Sequence, residues 1–227
     1  MIIVKLAGGL GNQLFEYAFA RAVSSHLKTD FLLDKSPFDT YYKYHKYSLN
    51  YFNIKEQLAK DSDFFGFVWF RKQHKIFDTF YKYLRLKSKL MPFYYPEQRF
   101  HFDPRVFKKD GRYFDGGWVT EKYFKEIESE LREELTLRTP LSDYSQGILE
   151  DIKNSRSVSI HVRRTDYITG DTFSDTNIMF APCSMEYYKE AISYIVRSEP
   201  TPHFFVFSDD YDWAVENFKP LPYPVTC

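Results

Sequence analysis

Cysteine is scarce: Cys183 and Cys227 are the only two in 227 residues. Two are too few for a disulfide framework, and the pair fits a reducing compartment. An excess of charge of either sign is missing too, since 31 Lys and Arg balance 31 Asp and Glu. A general nucleic-acid binder carries a basic surplus, so no nucleic-acid partner is expected. Long apolar runs are absent: none approaches the ~20 residues of a membrane-spanning helix. The run at Met1–Gly9 is shorter than a signal-peptide core and has no basic segment ahead of it. Neither an internal repeat nor a low-complexity tract is present. Aromatic residues, by contrast, are abundant: 23 Phe, 19 Tyr and 3 Trp make 20% of the chain. A Phe-rich core with Tyr at its margins accounts for most of them. Surfaces that stack on sugars are the functional alternative for some.

Patterning reads as alternating strands and helices. Residues 2–6 form a short buried strand and Gly8–Gln13 a turn. Leu14–Val23 has helical spacing, and Phe31–Leu33 is a second strand. This β-loop-α-β unit favours a parallel sheet with right-handed crossovers. Tyr41–Tyr47 alternates aromatic and basic residues. Stacking on single-stranded nucleic acid is one use of such a pattern, but the balanced charge favours a solvated connection. The stretch 63–90 reads as a helix rich in Phe, Tyr and Lys. It packs on the domain or lies on a membrane surface. Tyr113–Trp118 is a strand ending in a glycine turn, and Thr120 caps a helix over Glu121–Leu135. A helix at 143–153, a strand at 157–162, a Ser184-capped helix to about Arg197, a strand at His203–Phe207 and a helix at 211–218 complete the chain.

Three constellations carry chemistry. The first is Gly8-Gly9-Leu10-Gly11-Asn12-Gln13. It fails as a dinucleotide fingerprint, because Leu14 stands where the third glycine belongs. It fails as a P-loop, because no Gly-Lys-Ser/Thr closes it. What remains is a glycine turn at a helix start, with two neutral amides, Asn12 and Gln13, able to bind hydroxyls. The second is His161-Val162-Arg163-Arg164-Thr165-Asp166-Tyr167, where a strand runs into the loop-like Ile168–Asp171. Open α/β sheets bind ligands at the carboxyl ends of their strands. Arginine's planar fork matches phosphate oxygens two at a time. Strand alternation puts Arg163 on the face of His161, as a phosphate clamp, and Arg164 on the other, suited to pair with Asp166 or another acid. The third is Ser208-Asp209-Asp210 at the end of a Phe-rich strand. It suits a guanine edge, a ribose hydroxyl, a metal, or simply the cap of the next helix.

Together these segments resemble the α-1,2-fucosyltransferases, glycosyltransferase family eleven. Gly116-Gly117-Trp118-Val119-Thr120-Glu121-Lys122-Tyr123-Phe124 also resembles that family, and the likeness runs from residue 1 to about 218. The resemblance implies an α/β, GT-B-like fold of two Rossmann-like domains: an acceptor-side domain at 1–140 and a GDP-fucose-binding domain at 141–227. It implies inverting transfer of L-fucose from GDP-fucose to the 2-hydroxyl of a galactose-terminated glycan, without a cofactor or a metal. On that likeness His161, Arg163, Arg164, Asp166, Ser208, Asp209 and Asp210 hold the donor. Gly11, Asn12 and Gln13 face the acceptor. Arg163, Asn12 and Glu16 are the catalytic candidates, with Asp166 a further choice of base. A cytoplasmic location follows, with peripheral association at the inner face of a bacterial membrane as an option.

One departure matters. Family members continue with a Ser-Phe-Ser-Trp-Trp-like segment in the donor domain, which this chain lacks. Ser155–Cys227 is only about half of a nucleotide-binding lobe of ~120–150 residues, the common domain size. The expectation is therefore an incomplete donor domain, and a chain that alone is poorly soluble or inactive. Two other classes compete with the enzyme: a non-catalytic glycan- or nucleotide-binding module, and a transferase using another sugar nucleotide.

Overall fold

In a computed structural model, residues 1–40, 42, 45–64, 93–98, 101–169 and 182–227 are described. Most of the expected helix at 63–90, and Tyr41, Lys43 and Tyr44 of the aromatic stretch, lie outside them. The chain divides into two compact units, Met1–Thr139 and Pro140–Cys227. Among the described residues, no helix is long and apolar enough to cross a membrane.

The first unit holds a four-stranded parallel sheet: β1 (Ile2–Lys5), β2 (Phe31–Asp34), β3 (Tyr94–Pro96) and β4 (Tyr113–Asp115), in the order β2-β1-β4-β3. Every strand therefore presents its carboxyl end at one edge. The long helix α1 (Leu10–Leu27) buries Tyr17, Ala18, Phe19, Ala20 and Val23. α1 begins four residues before the expected Leu14. Gly8, at φ +68°, makes the turn alone, and Gly9 in extended backbone is the N-cap. A short helix α2 (Ser36–Thr40) follows β2.

The aromatic surplus is largely this core. Trp118 stacks on Phe19 with ring centroids 4.2 Å apart, and Phe114 and Tyr123 meet the same pair edge-on. The helix expected over Glu121–Leu135 is broken. Two 3-10 turns, Glu121–Tyr123 and Lys125–Ile127, precede α3 (Glu128–Glu134). The buried Tyr123 explains the break: its hydroxyl accepts from Asp103 N–H at 2.9 Å and reaches His101 O at 3.4 Å. Such tertiary anchors override helix propensity. At its far end α3 is tied to α1 by Glu134, which takes a bidentate grip from Arg21 and the Tyr17 hydroxyl.

The second unit opens with α4 (Asp143–Lys153), capped by Ser142. It then runs β5 (Ser157–Val162), α5 (Thr165–Thr169), α6 (Met185–Ser198), β6 (His203–Ser208), α7 (Tyr211–Phe218) and β7 (Val225–Thr226). Its strands are parallel in the order β5-β6-β7. Ile160, Val162, Phe204 and Val206 pack under Tyr188, Ile192, Ala214 and Phe218 of α6 and α7. Ser184 caps α6, and Asp210 caps α7. The loop expected to begin at Ile168 is helical through Thr169; residues 170–181 lie outside the described set.

Candidate functional site

Sequence-predicted residues gather at the carboxyl edge of each sheet, and each unit carries its own set.

In the second unit β5 delivers the histidine and the arginines. His161 pairs with Phe207 and Val162 with Ser208, so the ends of β5 and β6 lie side by side. Burial alternates along the motif: His161 and Arg163 are exposed, Val162 is buried and Arg164 is half-buried. The Arg163 guanidinium lies over the Tyr167 ring, 4.9 Å from its centre. Arg164 turns inward, 4.0 Å over the Trp213 ring, with Nε 3.3 Å from Asp210 Oδ2. The acid that Arg164 finds is thus Asp210; the side chain of Asp166, in α5, lies outside the described set.

Asp209 and Asp210 are engaged by the protein itself. Asp209 Oδ1 accepts from Arg164 N–H at 2.9 Å, and Oδ2 accepts from Thr165 N–H and the Thr165 hydroxyl. Burial opposes ionisation of Asp209, but these donors outweigh it and hold its pKa below the ordinary value. Asp210 accepts from Trp213 N–H at 3.3 Å as the cap of α7. Ser208 Oγ binds Asp210 N–H at 2.9 Å. The three residues therefore build the rim that presents Arg163, and the expected contact of Asp209 or Asp210 with guanosine has to share oxygens already in use. Thr165 and Trp213, which pattern reading passed over, complete this rim; a hydroxyl at a helix start was the signal for the first.

In the first unit the glycine loop divides the two amides. Asn12 is exposed, against Gly8, where an added Cβ would collide with its amide nitrogen. Gln13 is placed otherwise than its neighbour and does not face a cleft: it is fully buried. Its amide donates to Gly8 O at 3.1 Å and Lys46 O at 2.9 Å, and accepts from Ser48 N–H at 2.9 Å. Gln13 is a brace between the loop and residues 46–48, a role that no local pattern announces. Gly11 is exposed.

Glu16 lies beneath the loop, 1% exposed, and its Oε2 accepts from Ala7 N–H at 2.8 Å. Burial pushes its pKa well above the ordinary carboxylate range, against the pull of the Ala7 N–H and of Lys5. A raised pKa means the folded state binds the proton more tightly than the unfolded chain. The stabilisation is complete below the unfolded value of about 4.3 and is lost as pH rises toward the folded value. Glu16→Gln keeps an acceptor for Ala7 and removes the charge. Calorimetry between roughly pH 5 and pH 8 should show a smaller fall in melting temperature for the variant than for the parent. An equal fall in both would rule out a buried, proton-binding Glu16.

Among the described residues, no group of three or more His, Cys, Asp or Glu side chains could hold a metal ion.

The sequence model of glycosyl transferase family 11 matches residues 1–221. The chain belongs to this family. As a family 11 glycosyltransferase it is 30% identical, over 221 residues, to an alpha-1,2-colitosyltransferase of Escherichia coli, covering 94% of this chain and 70% of that one. It is 28% identical over 241 residues to the O-antigen biosynthesis glycosyltransferase WbnK, also of E. coli, covering 96% and 75%. Among solved structures it resembles the fucosyltransferase NodZ from Bradyrhizobium, with a TM-score of 0.52 over 99% of this chain and 77% of that one. Identity there is 12%, so the likeness speaks for the α/β fold alone. In this glycosyltransferase the matched span takes in both the glycine loop and the His161–Asp166 motif.

Proposed function

We propose that this family 11 glycosyltransferase transfers L-fucose from GDP-fucose to the 2-hydroxyl of a galactose residue in a surface glycan, with inversion. The observation that carries the reading is the exposed His161–Arg163 pair at the carboxyl end of β5, with Arg164 fixed behind it by Asp210 and Trp213. In the reaction the acceptor oxygen forms a bond to the anomeric carbon. The bond from that carbon to the diphosphate breaks, and GDP leaves with the electron pair. The hydroxyl proton passes to a carboxylate or to water. A fixed guanidinium placed where negative charge grows on the leaving diphosphate is the strongest help a protein can offer. Arg163 supplies it on this reading, His161 assists at the donor, and no metal is required. Asn12 and Gly11 face the acceptor from the first unit, and Glu16 acts by holding the Ala7–Gly9 loop in place.

The experiment is a thermal-shift and turnover assay on the chain. On this reading GDP-fucose raises the melting temperature and a galactoside acceptor releases GDP; the expectation of an incomplete donor domain is the opposite, a chain without turnover. No shift with GDP or GDP-fucose would sink the donor assignment.

A second reading, transfer of colitose from its GDP-linked form, is favoured by the similarity to a relative named as an alpha-1,2-colitosyltransferase. Competition among GDP-fucose, GDP-colitose, GDP-mannose and UDP-sugars separates the two. Binding without turnover would favour a non-catalytic module.

Gly11 gives an independent check on the acceptor side. A Cβ at Gly11 would meet nothing within 4 Å. Gly11→Ala should therefore keep or raise stability, by up to about 1 kcal/mol. Crowding a substrate laid against the helix start should lower kcat/KM about tenfold, the equivalent of ~1.4 kcal/mol. Unchanged kinetics would remove Gly11 from the acceptor side.

A further inference from the structure

A cavity of about 250 Å³ opens in the first unit, lined by Glu97, Gln98, His101, Asp103, Arg105 and Trp118. It lies where β3 and β4 end, because Glu97 and Gln98 follow Pro96 and Trp118 closes the turn after Asp115. That is the sheet edge at which α/β units bind ligands, and also the edge that carries the glycine loop. Its walls are built tightly. Glu97 Oε2 accepts from Gly117 N–H at 2.9 Å and Trp118 N–H at 3.2 Å. A Cβ on Gly116 would run into the Glu97 side chain, so only glycine lets the turn approach this closely. Trp118 has φ +51°, a left-handed conformation that a bulky side chain rarely adopts. Strain of this kind persists where the surroundings enforce it, and it clusters at ligand sites.

The wall is polar, and one buried donor on it is unmatched. Trp118 Nε1 is buried and has no hydrogen-bond partner among the described residues. On the same wall Glu97 is half-buried, and Gln98 and His101 are exposed. Asp103 is satisfied differently: Arg105 grips it with Nε at 2.7 Å and a second nitrogen at 2.9 Å, and the Tyr95 hydroxyl adds 2.8 Å. Asp103 and Arg105 thus cancel each other, and Glu97 leaves the cavity with a negative bias that disfavours a phosphate or a carboxylate. Exposed donors and acceptors over a buried aromatic floor suit a neutral ligand with several hydroxyls. The volume falls just below the ~300–1,000 Å³ of drug-sized pockets, which fits one sugar ring and not a nucleotide.

We propose that this cavity binds one neutral pyranose of the acceptor glycan, with Glu97 and Gln98 hydrogen-bonding its hydroxyls beside His101 and Trp118. The proposal rests on the transferase reading above and deepens it by naming an acceptor subsite.

The test is saturation-transfer NMR on the full chain with methyl β-D-galactopyranoside and GDP, alongside the GDP thermal shift. The parent should transfer saturation to the ring protons. Gln98→Ala combined with His101→Ala should weaken binding about tenfold, as expected for two lost hydrogen bonds. Both residues are exposed, so this variant keeps its fold. Equal binding by parent and variant would overturn the subsite. So would a parent that gains stability from GDP yet shows no transfer to the galactoside. Galactoside binding that depends on Gln98 and His101, in a chain that ignores GDP and GDP-fucose, would keep the subsite and sink the donor reading.

Discussion

Arg163→Ala is expected to lower GDP-fucose turnover about 10²- to 10³-fold, the scale seen when one fixed donor to a developing anion is removed. It should also abolish the GDP-induced rise in melting temperature. Arg163 is exposed at the end of β5, with its guanidinium over the Tyr167 ring. Arg163→Lys restores the charge without the planar fork and should recover only part of the rate. Arg164→Ala should behave differently. Its guanidinium packs on Trp213 and bridges to Asp210, so stability should fall along with activity. Steady-state kinetics and calorimetry on the three variants separate the roles. Full activity in Arg163→Ala would remove the arginine from the reaction.

Gln13→Ala is expected to destabilise the first unit by about 3 kcal/mol, because unpaired buried groups cost ~1–3 kcal/mol each and a void adds to that. The side chain is fully buried and bridges Gly8 O, Lys46 O and Ser48 N–H. For a protein of this size the loss corresponds to a fall of roughly 6–12 °C in melting temperature. Asn12→Ala, an exposed neighbour, should leave stability nearly unchanged and act on acceptor kinetics instead. A Gln13→Ala protein that melts normally but has a raised acceptor KM would return Gln13 to a substrate-facing role.

Much of this fold is legible in the residues. Alternation marks β5 and β6 as strands, and Ser184 marks the start of α6, because strand period and capping act within a few residues. Helix α1 starts early because a glycine pair can turn and cap in two residues, which composition does not reveal. The 3-10 turns before α3 answer to Tyr123, whose partners His101 and Asp103 lie about twenty residues back. The candidate site follows the same divide. His161 and Arg163 are visible in the motif itself. The bracing by Gln13, the grip of Asp209 on the arginine loop and the wall around Glu97 and Trp118 are not. Each depends on side chains meeting backbone far along the chain, and no spacing rule encodes that meeting.

Asp209 carries a consequence for how the second unit is assembled. Its carboxylate supplies the N-terminal cap of α5 from another strand, 45 residues later at Arg164 and 44 later at Thr165. A helix of five residues has almost no stability of its own. During synthesis from the N-terminus, the arginine loop therefore stays unset until β6 has emerged and paired with β5. The loop that presents Arg163 thus acquires its shape only after the non-local pairing of β5 with β6, the kind of contact that slows folding.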